Sequence, residues 1–181
     1  ETLLGWLPAD LRRQRLLDAG CGTGATAVAA ACRGARVTAV DVAGGLIEIA
    51  RERTPAFLGH GGIDWRVGDM AAAELGEFDH VVAMDSLIHY STDEIVAVLG
   101  SLAERTRRSI VFTFAPRTPA LAAMHAAGRF FPRSDRAPVI QPVEEGKLRD
   151  ALAALPAWRA GRTHRVSSGF YKSQAFELVR R

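Results

Sequence analysis

Short apolar, β-branched runs alternate along this chain with Ala- and Leu-rich stretches of helical spacing, and most of the breaks between them are glycine. Residues 15–19 (RLLDA) form an apolar run stopped by glycines, which predicts a strand. Residues 25–33 (ATAVAAACR) are Ala-rich and end at Gly34, which predicts a helix closed by a glycine. Residues 36–41 (RVTAVD) predict a buried strand. Residues 46–53 then have helical spacing, with Leu46, Ile47, Ile49 and Ala50 inward, before Pro55 stops them. Residues 63–67 and 78–84 predict a third and a fourth strand. Ser91 and Glu94 have the spacing of a capping box, so a helix is expected over 92–104. A fifth strand fits residues 109–114.

Beyond that strand the alternation loosens. Residues 115–161 contain six prolines, with helical stretches near 119–127 and 144–155, and this region is expected to form an insertion or cap over the sheet edge. Residues 162–168 and 173–180 predict a closing hairpin. Strands alternating with helices give a Rossmann-like α/β domain, a seven-stranded, mostly parallel sheet whose last strand is antiparallel. The length of 181 residues fits one domain. The chain opens ETLLGWLPADLRRQ, an amphipathic stretch that reads as entered in mid-element, so a further N-terminal segment is expected upstream.

Composition narrows the class. The charged fraction of 24% and the scattered Gly and Pro are those of a globular protein, and no apolar run approaches the ~18 residues of a membrane span. Two cysteines, one in a loop and one late in a helix, do not make a disulfide framework, which fits a reducing, cytoplasmic setting. The five histidines show no metal-ligand spacing, so no metal site is expected. The net charge of +3 hides an asymmetry. Residues 1–100 carry 8 basic and 14 acidic side chains, and residues 101–181 carry 15 and 6, leaving the halves at −6 and +9. One half is suited to an anionic ligand, although solvated helix faces would give the same asymmetry.

In parallel sheets of this kind, ligands sit beyond the carboxyl ends of the strands. Four acids fall on that edge: Asp18, Asp41, Asp69 and Asp85. The loop Gly20-Cys21-Gly22-Thr23-Gly24 allows a sharp turn and close approach of backbone to a ligand. Alone it is ambiguous, because Gly20, Gly22 and Ala25 also satisfy a nicotinamide-cofactor fingerprint. Asp41, followed by Val42, can accept both ribose hydroxyls of either ligand. Three features favour S-adenosylmethionine, with S-adenosylhomocysteine as product. Asp18 suits the amino-acid part and would repel a pyrophosphate, Asp69 and Met70 suit the adenine, and Asp85-Ser86 lies where the reactive end would meet substrate. The spacing resembles the class I methyltransferase pattern. A nucleic-acid acceptor is disfavoured, since Met84-Asp85-Ser86-Leu87 replaces the tetrapeptide that base-amine methyltransferases carry there.

The strings FDHVVAMDSLIHY (78–90), TFAPRTP (113–119), HAAGRFFPRSDRAP (125–138) and GFYKSQAFELVRR (169–181) are more specific, and on them the chain resembles the magnesium protoporphyrin IX O-methyltransferase family. The resemblance implies methyl transfer from S-adenosylmethionine to one propionate of magnesium protoporphyrin IX in chlorophyll or bacteriochlorophyll synthesis. It makes His89 the catalytic candidate, with orientation of the carboxylate preferred over general base. Arg117, Arg129, Arg133 and Arg136 become candidates for the second propionate. It also implies contact with the large subunit of magnesium chelatase and peripheral association with the photosynthetic membrane. The competing readings are an O-methyltransferase of a small anionic substrate and a cofactor-binding subunit without catalysis.

Overall fold

The computed structural model describes residues 2–117, 140–168 and 171–181. In chain order these form α1 (Thr2–Gly5), β1 (Arg15–Ala19), α2 (Ala25–Cys32), β2 (Arg36–Asp41), α3 (Gly44–Glu52), β3 (Gly62–Val67), β4 (Phe78–Ala83), α4 (Thr92–Glu104), β5 (Thr106–Phe114), α5 (Glu145–Leu152), β6 (Trp158–Ser168) and β7 (Tyr171–Arg180). The strands make one sheet in the order β3-β2-β1-β4-β5-β7-β6. β1 to β5 pair in parallel, and β7 enters antiparallel between β5 and β6. The expected mostly parallel sheet with an antiparallel last strand is what forms.

Period-two alternation sends the side chains of each central strand to two separate cores. Leu16, Val37, Ala39, Val82 and Val111 pack beneath α1, α2 and α3 with Ala27, Ala30, Ala31 and Ile47. Leu17, Ala19, Val40, Val81 and Phe112 face α4 and α5 with Ile95, Leu99, Leu102 and Leu148. Strands covered on both faces are largely apolar, which is why the first two read as short, mostly apolar runs. Helix α4 starts where expected: Ser91 accepts from Glu94 N–H, and Glu94 accepts from Ser91 N–H at 2.7 Å.

Several boundaries move. β5 begins at Thr106 rather than 109, because Arg107 and Arg108 turn outward to Glu77 and Asp79 and so break the apolar pattern without breaking the pairing. β6 begins at Trp158 rather than 162, and an irregular register between Ala160 and Thr163 conceals its alternation. β4 ends at Ala83, leaving Met84 outside the strand. β7 begins at Tyr171, two residues early. α5 covers only Glu145–Leu152 of the helix expected over 144–155. In α3 only Ile47 and Ala50 are buried; Leu46 and Ile49 are half-buried. The helix expected near 119–127 lies outside the described residues. The chain leaves the described fold at Arg117 and re-enters at Ile140, and both points are pinned. Arg117 N–H donates to Val143 O at 2.7 Å, and Gln141 N–H donates to Ile88 O at 2.9 Å.

At the opposite, amino edge of the sheet, His80 is buried in β4 between two polar partners. Nε2 lies 2.7 Å from Gln14 Oε1 and Nδ1 lies 2.7 Å from Ser109 Oγ. The amide oxygen can only accept, so Nε2 carries the proton and Nδ1 accepts from the serine. Burial pushes the His80 pKa down to about 4. Above the ordinary histidine value both folded and unfolded states are neutral. As pH falls from about 6.5 toward 4 the unfolded chain takes up a proton that the folded chain refuses, so this site lowers stability across that window. Asp18, described below, has the opposite slope over part of the same range, so the difference between wild type and His80→Gln isolates the histidine. Urea unfolding at several pH values should show a shallower acid loss in His80→Gln than in wild type; parallel curves would contradict the assignment.

Candidate functional site

At the carboxyl edge, β1 runs straight into the glycine loop. Gly20 and Cys21 both donate N–H to Val40 O, at 2.9 and 3.0 Å, so the loop folds back over the end of β2. Asp41 completes the join. Its Oδ2 accepts Gly22 N–H and its Oδ1 accepts Ala43 N–H, each at 2.9 Å. Two glycines are dictated by crowding. Gly20 has φ +75, and a Cβ there would lie 2.3 Å from Ser86 Cβ; Gly24 has φ +84, and its Cβ would lie 2.3 Å from the Trp65 ring. Any side chain at either position would meet both backbone strain and a clash. Helix α2 then starts at Ala25; its N-cap residue Gly24 supplies no side-chain cap, and of the first N–H groups that of Ala27 is taken by Asp18.

Around this loop lies a cavity of about 540 Å³. Gly20, Gly22, Asp41, Val42, Asp69, Met70, Asp85, Ser86 and His89 line it together with Val40, Leu46, Gly68, Met84 and Tyr90. Nine of the residues singled out from sequence therefore converge on one space. Val42 is 76% exposed, an unusual setting for an apolar side chain on a cavity wall. Asp69 accepts Ala71 N–H at 2.8 Å, which turns the chain directly after Gly68. Asp85 has φ +56, a conformation uncommon outside glycine, and one partner in β5 holds it there. Asp85 N–H donates to Thr113 Oγ1 at 2.7 Å, and that hydroxyl donates back to Asp85 Oδ1 at 2.9 Å.

Three of the cofactor candidates sit apart from the wall. Asp18 is 1% exposed and lies beneath the loop rather than on the cavity surface. Burial raises its pKa to about 7; an Ala27 N–H opposes the rise and the charge of Asp41 adds to it. Cys21 is buried in the core under α2 and its thiol is pushed up to about 12, first by burial and then by Asp18 and Asp41, so it stays protonated. Gly24 contributes backbone at the start of α2. Arg117 is exposed at the base of the excursion from β5, and Arg129, Arg133 and Arg136 lie outside the described residues. Sequence reasoning missed Leu46, Met84, Tyr90 and Thr113. Tyr90 was within reach, being the neighbour of His89 in a quoted string.

Among the described residues, three buried side-chain atoms lack a hydrogen-bond partner: Asp18 Oδ2, Ser86 Oγ and Ser173 Oγ. The first two lie at the glycine loop. Buried polar atoms are nearly always satisfied, so this pair fits a ligand that brings its own donors and acceptors. Among the described residues no group of His, Cys, Asp and Glu could hold a metal ion, and no helix is long and apolar enough to cross a membrane.

Comparison with known proteins agrees with this edge. Residues 83–180 match the model of the magnesium-protoporphyrin IX methyltransferase C-terminus, and residues 16–109 match a methyltransferase domain. The chain is 47% identical over 180 residues to the magnesium-protoporphyrin O-methyltransferase of Rhodobacter capsulatus, covering 97% of this chain and 76% of that one. Its counterpart from Synechocystis is 30% identical, covering 99% and 79%. The crystal structure of magnesium protoporphyrin IX methyltransferase from Synechocystis with bound SAH superposes with a TM-score of 0.84 at 30% identity, over 99% of this chain and 81% of that one.

The two-way bond between Thr113 and Asp85 yields a stability test. Thr113→Val takes the acceptor in β5 from the part-buried Asp85 N–H, which costs about 1–3 kcal/mol. Thr113→Ser keeps the hydroxyl and should lie within about 1 kcal/mol of wild type in chemical denaturation. Equal stability of the valine variant and wild type would contradict the account.

Proposed function

The chain belongs to the magnesium-protoporphyrin O-methyltransferase family, and from that premise we propose that it methylates one propionate carboxylate of magnesium protoporphyrin IX at the cavity beyond β1, β2 and β4. The observation that carries this reading is the cavity itself, where the glycine loop and Ser86, whose buried hydroxyl has no partner, lie on one wall with His89 and Tyr90, and the orphaned Asp18 oxygen lies beneath the loop. When bound, S-adenosylmethionine supplies a sulfonium methyl that one carboxylate oxygen takes up as the carbon–sulfur bond breaks, leaving S-adenosylhomocysteine and the monomethyl ester.

The residues of this chain fit that pair. Asp18 has one unpartnered carboxylate oxygen for an ammonium, and the N–H groups of Ala25 and Thr26, ahead of the Ala27 N–H that Asp18 takes, are offered by the start of α2 to a carboxylate. Asp41 reaches the cavity with lone pairs left over from its two backbone bonds, as a ribose requires. Exposed Val42 and half-buried Met70 supply apolar faces for a purine, and Asp69 supplies an acceptor for its amino group.

No general base is needed on the other side. A propionate resembles glutamic acid, with a pKa of ~4.3, and is ionised at neutral pH. Carboxylate and sulfonium neutralise each other as they react, so a dry, aligned cavity favours the reaction more than water does. Exclusion of water and alignment are therefore what the protein contributes. We assign to His89 the orientation of the reacting carboxylate, and Arg117 remains a candidate for the second one. The macrocycle is poorly soluble in water, which supports its delivery from the large subunit of magnesium chelatase or from a membrane surface.

Two outcomes follow. His89→Ala should lower kcat by about tenfold to a hundredfold while S-adenosylhomocysteine affinity stays within about twofold; equal loss of both would remove His89 from the substrate side. Asp18, protonated below about 7 without ligand, must ionise to take an ammonium. Affinity for S-adenosylhomocysteine should therefore rise between about pH 6 and 8 in wild type and stay flat, and about tenfold or more weaker, in Asp18→Asn. Calorimetry that shows a pH-independent wild type would contradict this role.

A further inference from the structure

A second cavity, of about 480 Å³, adjoins the first. It lies between α1 and α2 and is walled by Leu3, Leu4, Ala25, Ala29, Met84 and Arg33. Met84 lines both cavities and stands between them, the first beyond the end of β4 and the second along the exposed side of α2. That position just after β4 accounts for a methionine that is 39% exposed, and the Thr26 hydroxyl holds its sulfur at 3.9 Å. α2 is eight residues long, about 12 Å. Ala25 lies at its start beside the glycine loop and Arg33 caps its far end. The wall is apolar along its length and cationic at that end. Arg33 donates one guanidinium N–H to Leu4 O at 2.5 Å, the one side-chain bond it makes among the described residues. A guanidinium has five N–H donors, so the rest of its fork can take a carboxylate.

This chemistry selects an occupant. A flat, apolar body with two carboxylates on one side, one of which must reach the cofactor cavity, matches a groove that meets that cavity at Met84 and carries, among the described residues, one cation. The volume lies in the range that encloses a ligand of that size in part. We infer that this groove seats an apolar face of the tetrapyrrole, with Arg33 holding the propionate that is not methylated; the inference rests on the function proposed above. It places the substrate on the α1–α2 side of the sheet. The unmethylated carboxylate is then assigned to an arginine of the acidic first half of the chain rather than to the basic second half.

Ala29 is half-buried and faces the groove, whereas Ala27, Ala30 and Ala31 carry the packing of α2 on the sheet. Ala29→Phe should therefore fill the groove and leave the core intact. Binding of magnesium protoporphyrin IX, followed by the shift of its absorption band, should weaken by at least about tenfold in Ala29→Phe. Arg33→Gln should weaken it by a similar factor, with Arg33→Lys intermediate. S-adenosylhomocysteine affinity should stay within about twofold in all three. Wild-type affinity for the porphyrin in Ala29→Phe would overturn the groove assignment, as would parallel loss of porphyrin and S-adenosylhomocysteine binding, which would make the groove a support for the cofactor cavity. Full binding in Arg33→Gln with loss in Arg117→Gln would move the carboxylate site to Arg117. Failure of the wild-type protein to bind the porphyrin at all would instead sink the proposed function, and so is distinguishable from failure of the groove.

Discussion

The carboxylate of Asp41 accepts one N–H from the glycine loop and one from the turn that opens α3, each at 2.9 Å, and so ties the exits of β1 and β2 into a single rigid edge. Without that tie, Gly20, Gly22 and Gly24, all at positive φ, would form a loop with little to hold it in place. Val40 O, which accepts from both Gly20 and Cys21, adds the backbone part of the join. The close approach of Ser86 to Gly20 then brings the exit of β4 against the same loop. One carboxylate thus serves as structure while it also lines the cavity.

A parallel sheet buried on both faces makes the position of that edge reliable. The two cores grip alternate side chains of the same strands, and a slip of one residue would exchange them. The pairing of Ala83 with Phe112 in turn brings Asp85, two residues on, within hydrogen-bond reach of the Thr113 hydroxyl. The left-handed backbone at Asp85, and with it the path toward His89, therefore depends on a hydroxyl donated by the next strand. Burial of Asp18 under the loop follows from the same geometry, and its raised pKa reflects a site that holds a negative charge poorly.

Much of this was legible in the sequence where the signal is local. β1 and β2 begin and end at the expected residues because glycines stop the first and a β-branched run fills the second, and α4 does so because Ser91 and Glu94 form their capping box. Asp41, Asp69 and Asp85 could be placed on one edge by counting from strand ends. Thr113 and Arg33 could not be found this way. The first lies 28 residues from its partner and meets it only through strand pairing; the second faces the groove only because α1 packs beside α2. The charge asymmetry read differently once folded. In the basic half, Arg107, Arg108, Arg149, Arg162 and Arg165 are paired with Glu77, Asp79, Glu145 and Glu177, and Arg180 lies over Trp158, so much of that charge holds the fold together.

The central claim is that this edge moves a methyl group onto a carboxylate oxygen of the tetrapyrrole. The most direct measurement supplies S-adenosylmethionine carrying a tritium-labelled methyl together with magnesium protoporphyrin IX or its dimethyl ester. The account predicts one labelled, base-labile methyl ester per turnover on the free acid, one S-adenosylhomocysteine released for each, and no label on the diester. Label on the diester, or cofactor turnover without a porphyrin ester, would contradict it.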